Sequence, residues 1–225
     1  MTRPRSPTPQ PDTLYRSLQQ GCAALGLDAR PGLLDSLSDF LELLAKWNRV
    51  YNLTAVREPG AMVIRHVLDS LAVLPYLTAG RLLDAGTGAG LPGVPIALAR
   101  PDLNVTLLDS SAKKLRFVRQ AVGELGLDNA QVVRERMEQY RPARAFDMVI
   151  SRAVADIGSL YRRTAHLVRP GGRFLHMQGV RPRAGLEAFA GSGQLHVELL
   201  KVPGLDAERH LVWFEKQQDS GTLHQ

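Results

Sequence analysis

Residues 84-DAGTGAGLPGVP-95 carry four glycines and two prolines in twelve positions. The apolar pair Leu82–Leu83 precedes them and 96-IALA-99 follows. Apolar run, glycine-rich turn and helix-forming run read as strand, loop and helix. Glycine adopts backbone conformations closed to other residues and lets a ligand approach the main chain. The stretch predicts a ligand-holding loop at the carboxyl end of a strand.

Working outward, further apolar runs fall at 104-NVTLLD-109, 130-AQVVRE-135, 146-FDMVISRA-153, 173-RFLHMQ-178, 195–202 and 210-HLVWFE-215. Between them lie helical patterns. Ser110 or Ser111 caps one that carries Leu115, Val118, Val122 and Leu125 on one face and ends near Gly126. Another runs over 156–168 and stops at 170-PGG-172, and a third lies near 184–190. Strands alternating with helices predict an α/β, doubly wound, mostly parallel seven-stranded sheet, closed by an antiparallel pair of last strands.

Upstream, the chain is helical. Residues 13–27 suit a short helix, and Pro31 suits a helix start. Leu33, Leu37, Phe40, Leu41, Leu44 and Trp47 then recur at helical spacing, and 58–77 reads as one further helix. The expected organisation is a disordered leader over 1–12, a helical extension over 13–78, the α/β domain over 79–216 and a disordered tail over 217–225.

The bulk numbers narrow the class. A chain of 225 residues, 44% hydrophobic, suits one α/β domain with an extension. No long apolar run predicts a membrane span, and the first residues do not read as a signal peptide, so the cytoplasm is expected. Cys22 is the single cysteine, which excludes an internal disulfide framework and a multi-cysteine zinc cage, and no metal is expected. The net charge of +6 gives weak support for a nucleic-acid partner, because 23 of the 28 basic residues are arginine, a bias that a GC-rich coding sequence also produces.

Three ligands compete for the glycine turn. A P-loop needs Lys and Ser or Thr after its second framing glycine; Gly88 and Gly93 have the separation, but Val94 and Pro95 follow. A dinucleotide fingerprint wants a small residue where Leu91 stands. The register is instead G-x-G-x-G after Asp84, which suits S-adenosylmethionine. That donor lacks a pyrophosphate, so the third fingerprint glycine is dispensable. Asp84 suits its cationic end, directly or through water. Gly86, Gly88 and Gly90 admit it to the main chain, and the following helix start offers N–H groups to an anion. Asp109 ends the second strand 23 positions after Gly86, where an acidic residue bonds ribose hydroxyls. Met137 and Glu138 follow the third strand and offer adenine a nonpolar wall and an acceptor.

The nucleophile is narrowed by what is present. Methylation of a pyrimidine carbon needs a cysteine, and Cys22 lies in the helical region. Exocyclic amines are often methylated beside an Asn/Asp-Pro-Pro-aromatic loop, whereas 151-SRAVAD-156 has no proline pair. A guanine N7 has an exposed lone pair and no proton to lose, so it needs positioning without a general base. His66 is the alternative base; a histidine hydrogen-bonded at a helix-packing surface is an equally good reading. Arg152, after the fourth strand, is placed to grip cofactor or a phosphate, or else to pair with a carboxylate. Lys113, Lys114, Arg116 and Arg119 crowd one helix, where a solvated face is the commoner role.

WNRVYNLTAVRE at 47–58, RHVLDSL at 65–71, DAGTGAGLPGVPIA at 84–97, LLDSSAKKLRFVRQ at 107–120, FDMVISRAVA at 146–155 and DAERHLVWF at 206–214 together resemble the RsmG (GidB) family of 16S ribosomal RNA guanine-N7 methyltransferases. The similarity runs from about Leu33 to Glu215. It implies a class I, Rossmann-like methyltransferase fold and methyl transfer from S-adenosylmethionine to N7 of the guanine at position 527 of 16S rRNA. Cofactor contacts would fall on Gly86, Leu91, Met137, Glu138 and Arg152; Asp109 is added from its place at a strand end. Arg152 is also the candidate catalytic group. Many relatives have Pro where Ala89 stands, and another apolar residue where Met137 stands; neither change alters a charge. The expected partner is 16S rRNA or the small ribosomal subunit, met by a monomer with no membrane association. A small-molecule methyltransferase of the same fold and a noncatalytic RNA-binding module are the alternatives.

Overall fold

The computed structural model describes residues 11–152, 156–181 and 193–217. The expected leader (except Pro11 and Asp12), the helix near 184–190 and the tail beyond residue 217 lie outside them.

Two helices open the fold, α1 (Pro11–Ala24) and α2 (Pro31–Tyr51). Pro31 stands at the first position of α2, where its missing N–H costs nothing, and Asn52 ends the helix in the left-handed conformation at φ 48°. The run expected as one helix over 58–77 is divided. It forms α3 (Pro59–Met62), a π-helical segment Val63–Leu68, α4 (Asp69–Leu71) and a 3-10 turn Leu74–Tyr76. Glu58 caps its start, accepting the N–H groups of Gly60 and Ala61. π-Helical turns widen the backbone ladder locally and re-aim side chains; this one carries Arg65 and His66 and delivers Asp69.

The sheet follows: β1 (Gly80–Ala85), α5 (Gly93–Ala99), β2 (Leu103–Asp109), α6 (Ala112–Glu124), β3 (Ala130–Arg134), β4 (Phe146–Arg152), α7 (Ile157–Thr164), β5 (Val168–Gln178), β6 (Leu195–Leu199) and β7 (His210–Glu215). The order is β3-β2-β1-β4-β5-β7-β6. β1 to β5 run parallel, and β7 lies antiparallel to both β5 and β6. The last two strands do pair antiparallel, with the second inserted beside β5.

One expected boundary moves. Pro170-Gly171-Gly172 lies inside β5 and does not precede it. Gly171 takes φ 68° and its N–H bonds the carbonyl of Lys216, while the Lys216 N–H bonds Gly172. A β-carbon on Gly172 would stand 2.9 Å from the Asp147 carbonyl oxygen. The glycines therefore let β5 begin early, at an irregular register against β4.

Both sheet faces are covered, which explains the nearly continuous apolar strands. On one face Leu82, Leu107, Ile150 and Leu175 share a core with Leu37, Phe40 and Leu44 of α2 and Phe117 of α6. On the other, Leu83, Val149, Phe174 and Phe214 pack with Ile157, Leu160 and Tyr161 of α7. The helical extension thus forms a layer over α5 and α6 and shares their core. Its α4 carries Asp69 toward the sheet's carboxyl edge.

Candidate functional site

The glycine turn leaves β1 at that carboxyl edge. The N–H groups of Gly86 and Thr87 bond the carbonyl of Leu108 at 2.8 and 2.9 Å, holding the turn against β2. Gly86, Gly88 and Gly90 all have positive φ, at 78°, 59° and 77°. Their surroundings differ. A β-carbon on Gly86 would meet only Met137 Cε at 3.6 Å, and on Gly88 nothing closer than 3.9 Å. On Gly90 it would strike Val94 at 2.7 Å, and on Gly93 it would strike Leu107 at 2.2 Å. Gly86 and Gly88 therefore open onto a cleft, whereas Gly90 and Gly93 are required by packing.

Asp84 corrects an expectation. Its side chain is fully buried and faces the loop from within. Oδ2 accepts the Thr87 hydroxyl at 2.6 Å and the Gly93 N–H at 2.8 Å. Burial pushes the carboxyl up to about 6, against the lowering effect of those two donors. Asp84 thus braces the loop through Oδ2, its Oδ1 is buried without a partner among the described residues, and the N–H opening α5 is taken by it rather than offered to an anion.

Asp109 reaches the same loop from β2. Oδ2 accepts the Gly88 N–H at 2.9 Å and Oδ1 the Ser111 N–H at 2.8 Å. Each oxygen retains a lone pair for a further donor. Lys114 extends its ammonium to 3.9 Å from where a β-carbon on Gly88 would stand. Met137 faces Gly86 across the cleft. Glu138, next to it, pairs with Arg163 at 3.1 Å. Its carboxyl lies below the usual range, through its own main-chain hydrogen bond first and Arg163 second. Leu91 is buried, with its N–H on the Thr87 carbonyl.

Arg152 ends β4 and turns to the helical extension. Nη1 donates to Asp69 Oδ2 at 3.1 Å and to the Arg65 carbonyl at 3.0 Å. Arg209 Nε donates to the other Asp69 oxygen at 2.8 Å. Asp69 is 2% exposed, so one buried carboxylate orients two guanidinium groups. The ion pair weighed as an alternative for Arg152 is present; its remaining N–H groups are not consumed by it. His66, one turn before Asp69, bonds Thr54 Oγ1 at 2.9 Å and is buried. Burial, then the nearby Arg152 charge, lower it to about 4. It matches the hydrogen-bonded packing histidine better than a base.

The geometry thus joins Gly86, Gly88, Asp109, Met137 and Lys114 around one opening. Asp69, Arg209 and Lys114 do not stand out as site residues in the sequence. Each lies inside a quoted motif, but Asp69 and Arg209 are 140 residues apart and only the fold makes them partners. The largest cavity among those described, about 720 Å³ between α1, the π-helical segment and residues 203–206, lies away from this cleft.

Known proteins resemble this chain in sequence and fold. Residues 33–212 match GidB, described as rRNA small subunit methyltransferase G. The chain belongs to the GidB family. The ribosomal RNA small subunit methyltransferase G of Methylobacillus flagellatus is 48% identical over 205 residues, 91% of this chain and all of that one. The same-named protein of Aromatoleum aromaticum is 51% identical over 206 residues, 89% of this chain and 98% of that one. Among solved structures, the S-adenosylmethionine-dependent methyltransferase SibL aligns with a TM-score of 0.59 at 17% identity, covering 92% of this chain and 74% of its own. TrmN from Thermus thermophilus aligns at 0.54 and 22%, covering 65% and 48%. These two share the fold. This GidB-family chain is a methyltransferase with S-adenosylmethionine as its methyl donor. The space before Gly86 and Gly88, bounded by Met137 and Lys114 and edged by Asp109, fits that donor. Among the described residues no helix is long and apolar enough to cross a membrane.

Proposed function

We propose that the protein methylates N7 of the guanine at position 527 of 16S rRNA, in free RNA or in the small subunit. The observation that carries this reading is the near-half identity, over almost the full length, with relatives named for the small-subunit RNA. S-adenosylmethionine supplies an electrophilic methyl on a sulfonium. The methyl–sulfur bond breaks as the methyl–N7 bond forms; the positive charge passes to the purine and no proton has to leave.

That chemistry asks the protein for position and exclusion of water. In this reading Gly86 and Gly88 admit the donor to the main chain, and Asp109 accepts from its ribose while holding the loop through Gly88. Met137 forms the adenine wall, Glu138 lies at the adenine edge, and Leu91 contributes through its main chain because its side chain is buried. Arg152, oriented by Asp69, grips an anionic group of donor or RNA. His66 is buried and bonded to Thr54, which suits a reaction needing no base.

The test is incubation with labelled donor and either 16S rRNA or small subunits lacking the modification, followed by nuclease digestion and nucleoside mass spectrometry. N7-methylguanosine at the one position is the expected product. No labelled product from either substrate would overturn the reading.

A further inference from the structure

The distribution of ion pairs over the surface is uneven. Near the amino edge of the sheet three arginines are neutralised, Arg100 by Asp102 at 2.6 Å, Arg169 by Asp147 at 2.7 Å and Arg173 by Glu215 at 2.8 Å, while Arg81 there meets main-chain carbonyls. Beside the cleft, Arg163 is neutralised by Glu138. Along α6 the pattern reverses. Lys113, Lys114, Arg116 and Arg119 pair with no carboxylate among the described residues. The one acidic residue of α6 is Glu124, at its last position, where it bonds Gln120.

Helical geometry sorts these cations. Leu115, Phe117, Val118 and Ala121 bury one face of α6. Lys113, Arg116 and Arg119, three residues apart in turn, are exposed on the opposite side. They span about 9 Å along the axis, at about 1.5 Å per residue. Lys114 points differently. It lies above the buried face, half-buried, and its ammonium reaches the Gly88 loop. At the same end, Lys113 Nζ sits 6.0 Å over the ring of Tyr51, which stacks on Trp47 with centroids 5.0 Å apart. A row of unpaired cations therefore runs along α6 and stops at the rim of the donor cleft.

The placement is costly for α6 alone. Lys113 and Lys114 occupy its first turn, at the positive end of the helix dipole, where cations are disfavoured. A polyanion laid along the row relieves both that repulsion and the repulsion between the four charges. A small anionic metabolite would meet one or two of them; an RNA strand can meet all.

We propose that Lys113, Arg116 and Arg119 form a docking track for the ribosomal RNA strand that carries the target guanine, with Lys114 marking where the track enters the cleft. This rests on the RNA-substrate reading above and adds the path by which the RNA arrives.

The test compares two triple variants of the full chain, each with the same net charge. One reverses the track, Lys113→Glu/Arg116→Glu/Arg119→Glu. The other reverses exposed cations elsewhere, Arg16→Glu/Arg30→Glu/Lys201→Glu. Binding of 16S rRNA is titrated over a range of salt, and donor binding is measured by calorimetry. The track variant should keep its donor affinity within about twofold while its RNA dissociation constant rises at least tenfold. Its slope of log affinity against log salt should flatten by about 2, at roughly 0.7 for each single-strand phosphate that is no longer neutralised. The control variant should stay within about threefold of the unaltered protein. Equal losses in the two variants, or unchanged RNA affinity in a track variant that still binds donor, would overturn the track alone. A track variant that no longer binds donor is replaced by Lys113→Gln/Arg116→Gln/Arg119→Gln, read by the same salt slope. Failure of the unaltered protein to bind or methylate 16S rRNA would overturn the substrate reading, and the track with it.

Discussion

Asp69 and Arg152 come from segments 83 residues apart and meet at 3.1 Å, the carboxylate buried beneath the guanidinium at the end of β4. The contact ties the helical extension to the carboxyl edge of the sheet. Because Asp69 gives its second oxygen to Arg209, the group is two cations on one anion, with a net positive charge.

Arg152→Ala should therefore act mainly on ligand binding. Asp69 keeps Arg209 as a partner, so the stability loss should be about 1–2 kcal/mol, below the roughly 3–5 typical of a fully orphaned buried charge. Donor affinity should fall at least tenfold in calorimetry. Asp69→Asn leaves both guanidinium groups without a counter-charge and should lower both stability and methyl transfer. A loss of stability in Arg152→Ala as large as in Asp69→Asn would mark Arg152 as structural.

Gly86 and Gly93 should separate binding from folding. Gly86→Ala places a methyl in ordinary contact with Met137 at φ 78°, for a cost of about 1 kcal/mol, and Gly86→Asp should abolish donor binding in a folded protein. Gly93→Ala drives a methyl to 2.2 Å from Leu107 and 2.7 Å from Asp84, and should cost about 2 kcal/mol or more whether donor is present or not. Thermal melts with and without donor read the difference: a donor-induced rise in Tm should vanish only in Gly86→Asp.

Asp109→Asn should loosen the loop. Its amide can accept one of the two N–H groups now bound and sets a donor against the other, from Gly88 or Ser111. The expected cost is about 1–2 kcal/mol, with weaker donor binding. An Asn variant with unchanged donor affinity would remove Asp109 from the ribose site.

Acid should destabilise the protein through its buried histidines. His66 and His176 are lowered from 6.5 to about 4, chiefly by burial. Below pH 6.5 the unfolded chain takes up these protons and the folded chain does not, so stability is intact above that pH and is lost as pH falls toward 4. The loss is on the order of 3 kcal/mol for each histidine over the full window. Asp84 works in the opposite direction. Its raised carboxyl favours the folded state at low pH and loses that contribution as pH rises from 3.8 to about 6, which offsets part of the histidine effect. Urea unfolding at about pH 7 and about pH 5 should show the net acid loss. His66→Gln, whose amide can keep the Thr54 contact, should reduce it.

Most of the architecture was legible in local pattern. The apolar strands, the helical stripe of α2, the serine cap of α6 and the positive-φ glycines after β1 each follow from residues close in sequence, because caps, periodicity and turn chemistry are short-range. The sequence misleads where a local signal has a distant cause. The stretch 58–77 reads as one helix, yet a π-helical segment interrupts it just before Asp69, which meets two arginines. Pro170-Gly171-Gly172 reads as a terminator, yet Gly171 and Gly172 bond Lys216 and let β5 begin early.

The sequence by itself determined the α/β class and the glycine turn, since each depends on neighbours a few positions away. Only the tertiary structure decided how deeply each carboxylate is buried: Asp84 and Asp109 both lie at the carboxyl ends of strands and both hold the loop, but Asp84 is fully buried and Asp109 half-buried. It also decided the pairing of Asp69 with Arg152 and Arg209. A side chain's access to water, and hence its charge and its partners, is set by groups that the chain brings together only after it has folded.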